Sequence, residues 1–404
     1  MRTSHEGGAA LAPPLKQPIL QFGTSRFLQA HVDLFVSQAL ESHESAAAIG
    51  GIAVVQTTES ADSATRIAAL SNGGGYPVRI RGLQAGQVVD ETLTGRAIRQ
   101  AAHIRNDWAR VREAVCGPVQ IIVSNTGDQG YQLDERDDVQ YLANPSHVPH
   151  SFPARLVALL HARWRRQPDA PLSLLPCELI AKNGEVLRGI VVSLASQWSL
   201  SADFIHYLAE HCVWANSLVD RIVSESITPV GAIAEPYALW AIERQPRLRL
   251  PCSHPSVMLT DDLQSFERLK LFLLNLGHTF LAERWLRDGR PADETVYRAM
   301  NDPALRAQLE TVWSEEVLPI FEALGAREDA LAYLVQLRER LLNPFLEHRL
   351  ADIAQNHAQK TQRRIAPLLE LAASLGQTKG GRIEQPRLTE MMANRAWRTS
   401  HPFR

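Results

Sequence analysis

Residues 19–40 read ILQFGTSRFLQAHVDLFVSQAL, and this stretch decides the fold. ILQFG (19–23) is a short apolar run ending in glycine. From Phe27 onward apolar residues recur at helical spacing through Ala30, Leu34 and Ala39, which predicts a helix over 27–40. Strand, glycine turn and helix in this order form the first unit of a dinucleotide-binding α/β fold. In that unit, backbone N–H groups and the helix N-terminus receive a pyrophosphate. Gly23, Thr24, Ser25, Arg26 and Phe27 are the candidate residues of the turn. Only the first glycine of a GxGxxG pattern is present. Ser25 stands at the second position, with Gln29 and Ala30 around the third, so an ordinary βα loop is the plain alternative.

Working outward, GIAVVQT (51–57) predicts the second strand. Its end is where a carboxylate commonly holds the ribose hydroxyls. Here it reads Gln56-Thr57-Thr58 with Glu59 just beyond, so Gln56 is the candidate ribose partner. The missing carboxylate leaves the choice between NAD and NADP open. Arg66, alone on a helical stretch, reads as a solvated surface residue. YPVRIRGLQAGQVVDETLTG predicts a hairpin, with strands over 76–81 and 87–94 around Ala85-Gly86. The Gly73-Gly74-Gly75 run precedes a strand instead of opening a helix, so a phosphate loop is excluded on context. VQIIVS (119–124) is wholly apolar, as in a buried parallel sheet. Asn125 and Thr126 follow at its carboxyl end, where open α/β sheets bind ligands and where a turn or helix cap is the ordinary alternative. Beyond it, 151–165 predicts a helix with Pro153 in its first turn, and LSLLPCELI (172–180) another buried strand. Asn183-Gly184 predicts a turn, and 187–198 a helix. Asp220 and Arg221, inside the run SLVDRIV, suggest a buried or interfacial ion pair.

Pro229, Pro236, Pro246, Pro251 and Pro255 mark irregular chain. Beyond Thr260 helical periodicity dominates, over 263–287, 292–300, 303–324, 327–342, 345–358 and 361–375. A mobile stretch after Gly376 and a last short helix follow. The expected organisation is a loose tail (1–18), a Rossmann-like α/β dinucleotide-binding domain (19–256) and a mostly helical domain (257–404). A length of 404 residues suits two domains. With 45% apolar and 21% charged residues and a net charge of −2, there is no electrostatic case for a nucleic acid or an anionic membrane as partner. No apolar run reaches bilayer-spanning length, and the first residues lack the apolar core of a signal peptide. Four cysteines without a CxxC pair fit a reducing cytoplasm and speak against a disulfide framework or a structural zinc site. Monomer and small homo-oligomer stay equally open.

The chemistry concentrates in DDLQSFERLKLFLLNLGHTFLAER (261–284). Lys270, Asn275 and His278 place a cation, an amide and an imidazole among leucines. As a regular α-helix, this stretch puts Asn275 about 140° and His278 about 80° from Lys270, within one sector of the surface. Desolvation by the surrounding leucines lowers a lysine pKa, so Lys270 can take a proton from an alcohol as its carbon loses hydride, or return it to a carbonyl. Asn275 and His278 can hydrogen-bond the developing alkoxide. Taken singly, each residue has an ordinary reading: a lysine that reaches to solvent, a satisfied core histidine. Together they favour catalysis, although an α-helix separates Lys270 and His278 by ~12 Å along its axis.

The pattern Lys270-x4-Asn275-x2-His278, in RLKLFLLNLGHT, resembles the catalytic signature of the polyol-specific long-chain dehydrogenases, the mannitol dehydrogenase family. ILQFGTSRFLQAHVD resembles that family's first βα turn, YPVRIRGLQAGQVVDE its hairpin and SNTGDQGY one of its strand ends. Ser217–Val223, Asn343-Pro344 and the stretch from Lys360 to Pro367 also match. PCELIAKNG (176–184) resembles the tagaturonate reductase (altronate oxidoreductase) branch. The resemblance implies a metal-independent, NAD-dependent oxidoreductase of the cytoplasm that interconverts a keto-uronate and its aldonate. Lys270 would be the general acid/base, with Asn275 and His278 polarising the carbonyl, and Asp220 and Lys360 on the substrate side. Fructuronate reductase or a mannitol-type polyol 2-dehydrogenase is the alternative. Leu179 stands where mannitol dehydrogenases have a substrate asparagine, which argues against a simple hexitol. Short-chain dehydrogenases need Tyr-x-x-x-Lys, which the chain lacks, and the ligand set of zinc-dependent polyol dehydrogenases is not legible. A non-catalytic dinucleotide sensor is a further alternative, against which the intact Lys270, Asn275 and His278 count.

Overall fold

The computed structural model describes residues 13–42, 47–59, 62–127, 129–144, 146–379 and 383–393. The apolar runs become a six-stranded parallel sheet: β1 (Ile19–Phe22), β2 (Ile52–Gln56), β3 (Ile98–His103), β4 (Ile121–Ser124), β5 (Leu172–Pro176) and β6 (Cys212–Trp214). Their spatial order is β3-β2-β1-β4-β5-β6, the order of a Rossmann sheet. Ile19 sits between Ile52 and Ile121, and Phe22 between Val55 and Ser124, so β1 is the centre from which both halves are wound. Every residue of β1, β2, β4 and β5 is buried, as expected when helices cover both faces of a parallel sheet.

The predicted helix over 27–40 is two helices, α1 (Arg26–Gln29) and α2 (Val32–Glu41). His31 between them has a non-helical backbone, φ −127 and ψ −101. The Gln29 carbonyl, which a continuous helix would give to residue 33, instead receives the Tyr76 hydroxyl at 3.2 Å. Residues 13–18 are tied down: Leu15 is buried, and the main chain at Pro13, Pro14 and Lys16 bonds to Arg110 and Gln100. Residues 1–12 lie outside the described residues. Asn183 and Gly184 open the helix Asn183–Gln197 and do not form the expected turn. Lys182, at φ +53, makes the bend one residue earlier.

Packing divides the chain into two units. One takes Met1–Tyr76, Thr94–Ser217 and Arg244–Val257; the other takes Pro77–Leu93, Leu218–Glu243 and Met258–Arg404. The expected boundary at 256/257 is thus joined by two earlier excursions of the chain into the second unit. The hairpin Tyr76–Gln84/Gln87–Gly95 forms as predicted, with Ala85 and Gly86 at positive φ. Its turn N–H groups, at Ala85 and Gly86, donate to the Glu339 carboxylate at 3.1 and 2.7 Å. The proline-marked region contains strands that its prolines concealed: Val223–Ser226, Ala232–Ala234, Leu239–Glu243 and Val257–Thr260.

The helices of the second unit are built on a separate core that includes Leu273, Leu276, Leu281, Val312, Trp313, Leu337 and Leu368. Two of the expected helices are interrupted. The 263–287 helix is α-helical over Leu263–Leu269, a π turn over Lys270–Asn275 and α-helical over Leu276–Asp288. The 303–324 helix has a π turn at Val312–Val317, just before Pro319, whose missing N–H breaks the ladder. Within the expected helix over 345–358, only Leu350–Ile353 and, from His357, the start of the helix His357–Lys379 are helical. Val296 N–H and Leu350 N–H bond the carbonyls of His348 and Glu294, so residues 348–350 run alongside 294–296.

Candidate active site

In the first unit the polar residues collect at the carboxyl ends of β1, β2 and β4, where the winding of the sheet reverses. Gly23 has φ +114, and a Cβ there would stand 2.8 Å from the Asn125 carbonyl oxygen and 3.3 Å from Leu28 Cδ1. No other residue fits between β1 and β4. Ser25, at the second glycine position, caps α1 by accepting the Leu28 N–H at 3.3 Å. Arg26 is exposed and Phe27 half-buried, stacked on His31 at 4.8 Å. Arg66 departs from its expected solvated role: its Nη2 donates to the Thr24 carbonyl inside the turn.

Gln56 is 2% exposed. Its amide nitrogen donates to Ser63 Oγ and the Thr58 carbonyl, while its Oε1 has no hydrogen-bond partner. A buried orphan acceptor at the end of β2 fits a ribose hydroxyl, so the residues present suit a dinucleotide. Glu59 pairs with Arg105 at 2.9 Å. Asn125 donates to the Cys177 carbonyl, and Thr126 donates through both N–H and Oγ1 to Glu178 Oε1. Glu178 also receives Ser124 Oγ and Tyr131 OH. This buried carboxylate organises the β4 edge and was not singled out from the sequence. Leu179, beside it, is 74% exposed.

In the second unit, Lys270 starts the π turn and Asn275 ends it. A turn closed i→i+5 takes more residues than an α turn. Residues five apart therefore come closer to alignment than the 140° expected from a regular helix. Two contacts hold the widened turn. Trp313 Nε1 donates to the Leu273 carbonyl at 3.3 Å, and Gly277 admits the indole, since a Cβ there would meet Trp313 Cζ2 at 2.9 Å. On the other side, the Asn275 carbonyl accepts from Thr279 Oγ1 at 2.9 Å and from Arg364 Nη1 at 3.3 Å. The Asn275 side-chain amide makes no hydrogen bond among the described residues.

Lys270 Nζ donates to the Val219 carbonyl at 2.6 Å. Burial pushes its ammonium pKa down; the Asp220 carboxylate resists, and the charges of Arg340 and Arg364 add to the depression. Asp220 does not pair with Arg221, as the sequence suggested. Both its oxygens are taken by Arg340 at 2.9 Å, and Tyr333 OH adds a bond at 3.2 Å. Arg340 also donates to Glu235 and lies 4.1 Å over the Tyr237 ring. Arg221 bonds the Glu235 carbonyl. Burial alone would raise the Asp220 carboxyl, but Arg340, and Lys270 after it, hold it below its usual range. Asp220 is therefore a fixed negative charge felt by Lys270, with its oxygens already committed.

His278 is buried with Nε2 unpartnered. Its ring meets His348 edge-on at 4.7 Å. Burial, then the charges of His348, Arg364, Arg340 and Lys360, push its pKa well below the usual histidine value, so it is neutral. His348 is pushed down to about 4, by burial first. Lys360 Nζ donates to the Ile353 carbonyl at 2.8 Å. The structure thus gathers Lys270, Asn275 and His278 with Asp220 and Lys360 in one electrostatic neighbourhood, and adds Arg340, His348 and Arg364. No set of three His, Cys, Asp or Glu residues placed to hold a metal ion occurs among the described residues. No helix among them is long and apolar enough to cross a membrane.

A Rossmann sheet with polar residues collected at its β1/β4 edge, in a chain whose helical unit bears a desolvated lysine, is the pattern of a dehydrogenase/reductase acting on CH–OH groups. Comparison with known proteins agrees. The mannitol dehydrogenase Rossmann domain matches residues 17–251, and the mannitol dehydrogenase C-terminal domain matches residues 262–390. The chain belongs to the mannitol dehydrogenase family. Among curated relatives, the altronate oxidoreductase of Yersinia pestis bv. Antiqua (strain Nepal516) is 31% identical over 402 residues, covering 93% of this chain and 78% of the relative. That of Bacillus subtilis (strain 168) is 29% identical over 385 residues, covering 89% and 76%. Among solved structures, Pseudomonas fluorescens mannitol 2-dehydrogenase in ternary complex with NAD and D-mannitol has a TM-score of 0.70 at 19% identity, covering 94% of this chain and 84% of that one. A substrate-free D-sorbitol dehydrogenase has the same TM-score at 20% identity, with 93% and 84% covered. The last two establish the fold.

Proposed function

We infer that the protein is an NAD-dependent reductase of a keto-uronate of the tagaturonate type, equivalently an oxidase of the matching altronate-type aldonate. The observation that carries this reading is Lys270: desolvated, depressed in pKa and placed on the same π-interrupted helix as Asn275 and His278. The altronate oxidoreductase relatives support the substrate class, and the NAD complex of the mannitol dehydrogenase neighbour supports the cofactor.

Bound nicotinamide supplies the hydride acceptor in oxidation and the donor in reduction. The chain supplies the rest. Neutral Lys270 accepts the hydroxyl proton of the aldonate, and its ammonium returns that proton to the carbonyl in reduction. The Asn275 amide and neutral His278 steady the oxygen as its charge changes. Asp220, pinned by Arg340, acts as a positioning residue that keeps Lys270 in reach of protonation. Gly23, Thr24, Ser25, Arg26 and Phe27 form the pyrophosphate turn, Gln56 takes the ribose and Asn125 with Thr126 line the far edge. Lys360 adds positive charge on the substrate side.

The test is a substrate panel with both cofactors. Tagaturonate with NADH is expected to give the highest kcat/KM, ahead of fructuronate and of neutral ketoses. Turnover of neutral ketoses alone, or binding of NADH without oxidation of any substrate in the panel, defeats the reading.

A further inference from the structure

Arg364 was not singled out by the sequence, and its surroundings set it apart. In the same unit Arg340, Arg290 and Arg338 each lie on carboxylates at 2.7–3.1 Å. Arg364 lies on none among the described residues. Its hydrogen bonds there are both made by Nη1, to Thr279 Oγ1 at 2.9 Å and to the Asn275 carbonyl at 3.3 Å. The Nε/Nη2 edge of the guanidinium, the edge that forks onto a carboxylate, is left without an acceptor. The side chain is half-buried, and burial pushes its pKa down to about 10 with no acidic neighbour to offset it. The charge of Arg364 reaches both Lys270 and His278. The acid nearest Lys270, Asp220, is already neutralised by Arg340. The neighbourhood therefore holds a planar cation in want of a planar anion, one hydrogen bond away from the turn that presents Asn275.

We propose that Arg364 is the specificity-determining residue that receives the carboxylate of the sugar-acid substrate through its free Nε/Nη2 edge. The proposal rests on the sugar-acid reading above and deepens it. It separates two cations on one helix: Arg364 forks onto the carboxylate, whereas Lys360, one turn earlier, contributes a point charge. Nη1 also holds the Asn275 carbonyl, so the carboxylate and the π turn are gripped by the same side chain.

The experiment compares wild type, Arg364→Gln and Arg364→Lys as full-length proteins. Steady-state kinetics with a keto-uronate, inhibition by the aldonate and by the alditol of equal carbon number, and fluorescence titration of NADH are measured for each. In Arg364→Gln the KM for the keto-uronate is expected to rise about 100-fold, the loss of charge-assisted bonds to a carboxylate, with kcat changing much less. The Ki of the aldonate rises in step, and that of the alditol moves by less than about threefold, because it carries no carboxylate. Arg364→Lys recovers about tenfold of the KM, since charge returns without the fork. If Arg364→Gln does not fold, the Lys variant alone carries the test through its roughly tenfold rise in KM over wild type. Equal losses for aldonate and alditol, an unchanged KM, or a weakened NADH Kd in place of a raised KM each overturn the proposal. A wild type that uses neutral polyols and no sugar acid defeats the sugar-acid reading and this proposal with it. A wild type active on the acid whose variants keep its KM defeats this proposal alone.

Discussion

In the parallel-sheet unit, the residues assigned to a dinucleotide stand where regular structure stops: Gly23 after β1, Gln56 at the end of β2, Asn125 and Thr126 after β4. In the helical unit, the residues assigned to proton transfer stand inside a helix, where its ladder changes step from i→i+4 to i→i+5. The first arrangement needs only a sheet of the correct winding, because strand ends and one obligatory glycine aim backbone groups at a ligand. The second needs a defect held open by tertiary contacts, Trp313 on one side and Arg364 on the other. A π turn frees main-chain carbonyls and re-aims side chains, and such turns are common at functional sites. In the proposed function, one unit positions its ligand with backbone at element termini, and the other with side chains at an element's flaw.

The comparison can be broken most severely at Lys270. Lys270→Ala is expected to lower kcat by about 10³-fold while fluorescence titration shows NADH binding intact; wild-type turnover in the variant would remove the assigned role. Because Lys270 acts as base when neutral, oxidation should rise with pH and reduction should fall. The midpoint should lie below the ordinary lysine value, since burial depresses it. Gly23→Ala strikes the other unit. The new Cβ meets the Asn125 carbonyl at 2.8 Å in a backbone at φ +114. A loss of about 2 kcal/mol of stability, read from denaturant unfolding, together with loss of NADH binding, is the expected result.

A smaller effect concerns Asp33 on α2. It is fully buried, neither oxygen has a hydrogen-bond partner, and burial pushes its pKa to about 8, with Gln21 and Tyr76 acting in the opposite direction. Its folded pKa lies above the unfolded value of 3.8. The unfolded chain ionises first, so this residue costs stability as pH rises from about 4 to 8. Asp33→Asn is expected to stabilise the protein by on the order of 2 kcal/mol at pH 8 and to leave it little changed at pH 4. Melting curves at the two pH values would show equal shifts if the carboxyl were ionised in the fold. The smallest effect is Trp313→Phe, which deletes the bond to the Leu273 carbonyl. It should cost about 1 kcal/mol of stability and lower kcat severalfold without altering NADH affinity. A matching loss of NADH affinity would mean that the π turn is not a local device of its own unit.

The parallel sheet was largely readable because buried parallel strands are continuous apolar runs, as in IAVVQ and IIVS. β3 escaped because IRQAAH alternates too little to distinguish it from loop, and the later strands because prolines surround them. The triplet Lys270, Asn275 and His278 was legible by residue type and spacing. Its π geometry was not, since the indole and guanidinium that hold the turn come from residues 40 and 89 positions away from the carbonyls they bind. Asp220 was recognised as paired but given the wrong partner, because Arg340 lies 120 residues away. Arg66 and Arg364 look alike in sequence to any solvated helical arginine. Only the fold shows the Thr24 carbonyl under one and the Asn275 carbonyl under the other.

The alternation of the chain between its two units has a consequence for synthesis. The segment Pro77–Leu93 leaves the ribosome early, yet its hairpin tip is pinned by Glu339, more than 250 residues later. The first unit cannot close until Val257 has emerged. A nascent chain therefore carries the hairpin without its sheet neighbour until Ala232–Ala234 has emerged, and its tip without Glu339 for longer still, an exposed edge of the kind that invites aggregation or chaperone capture.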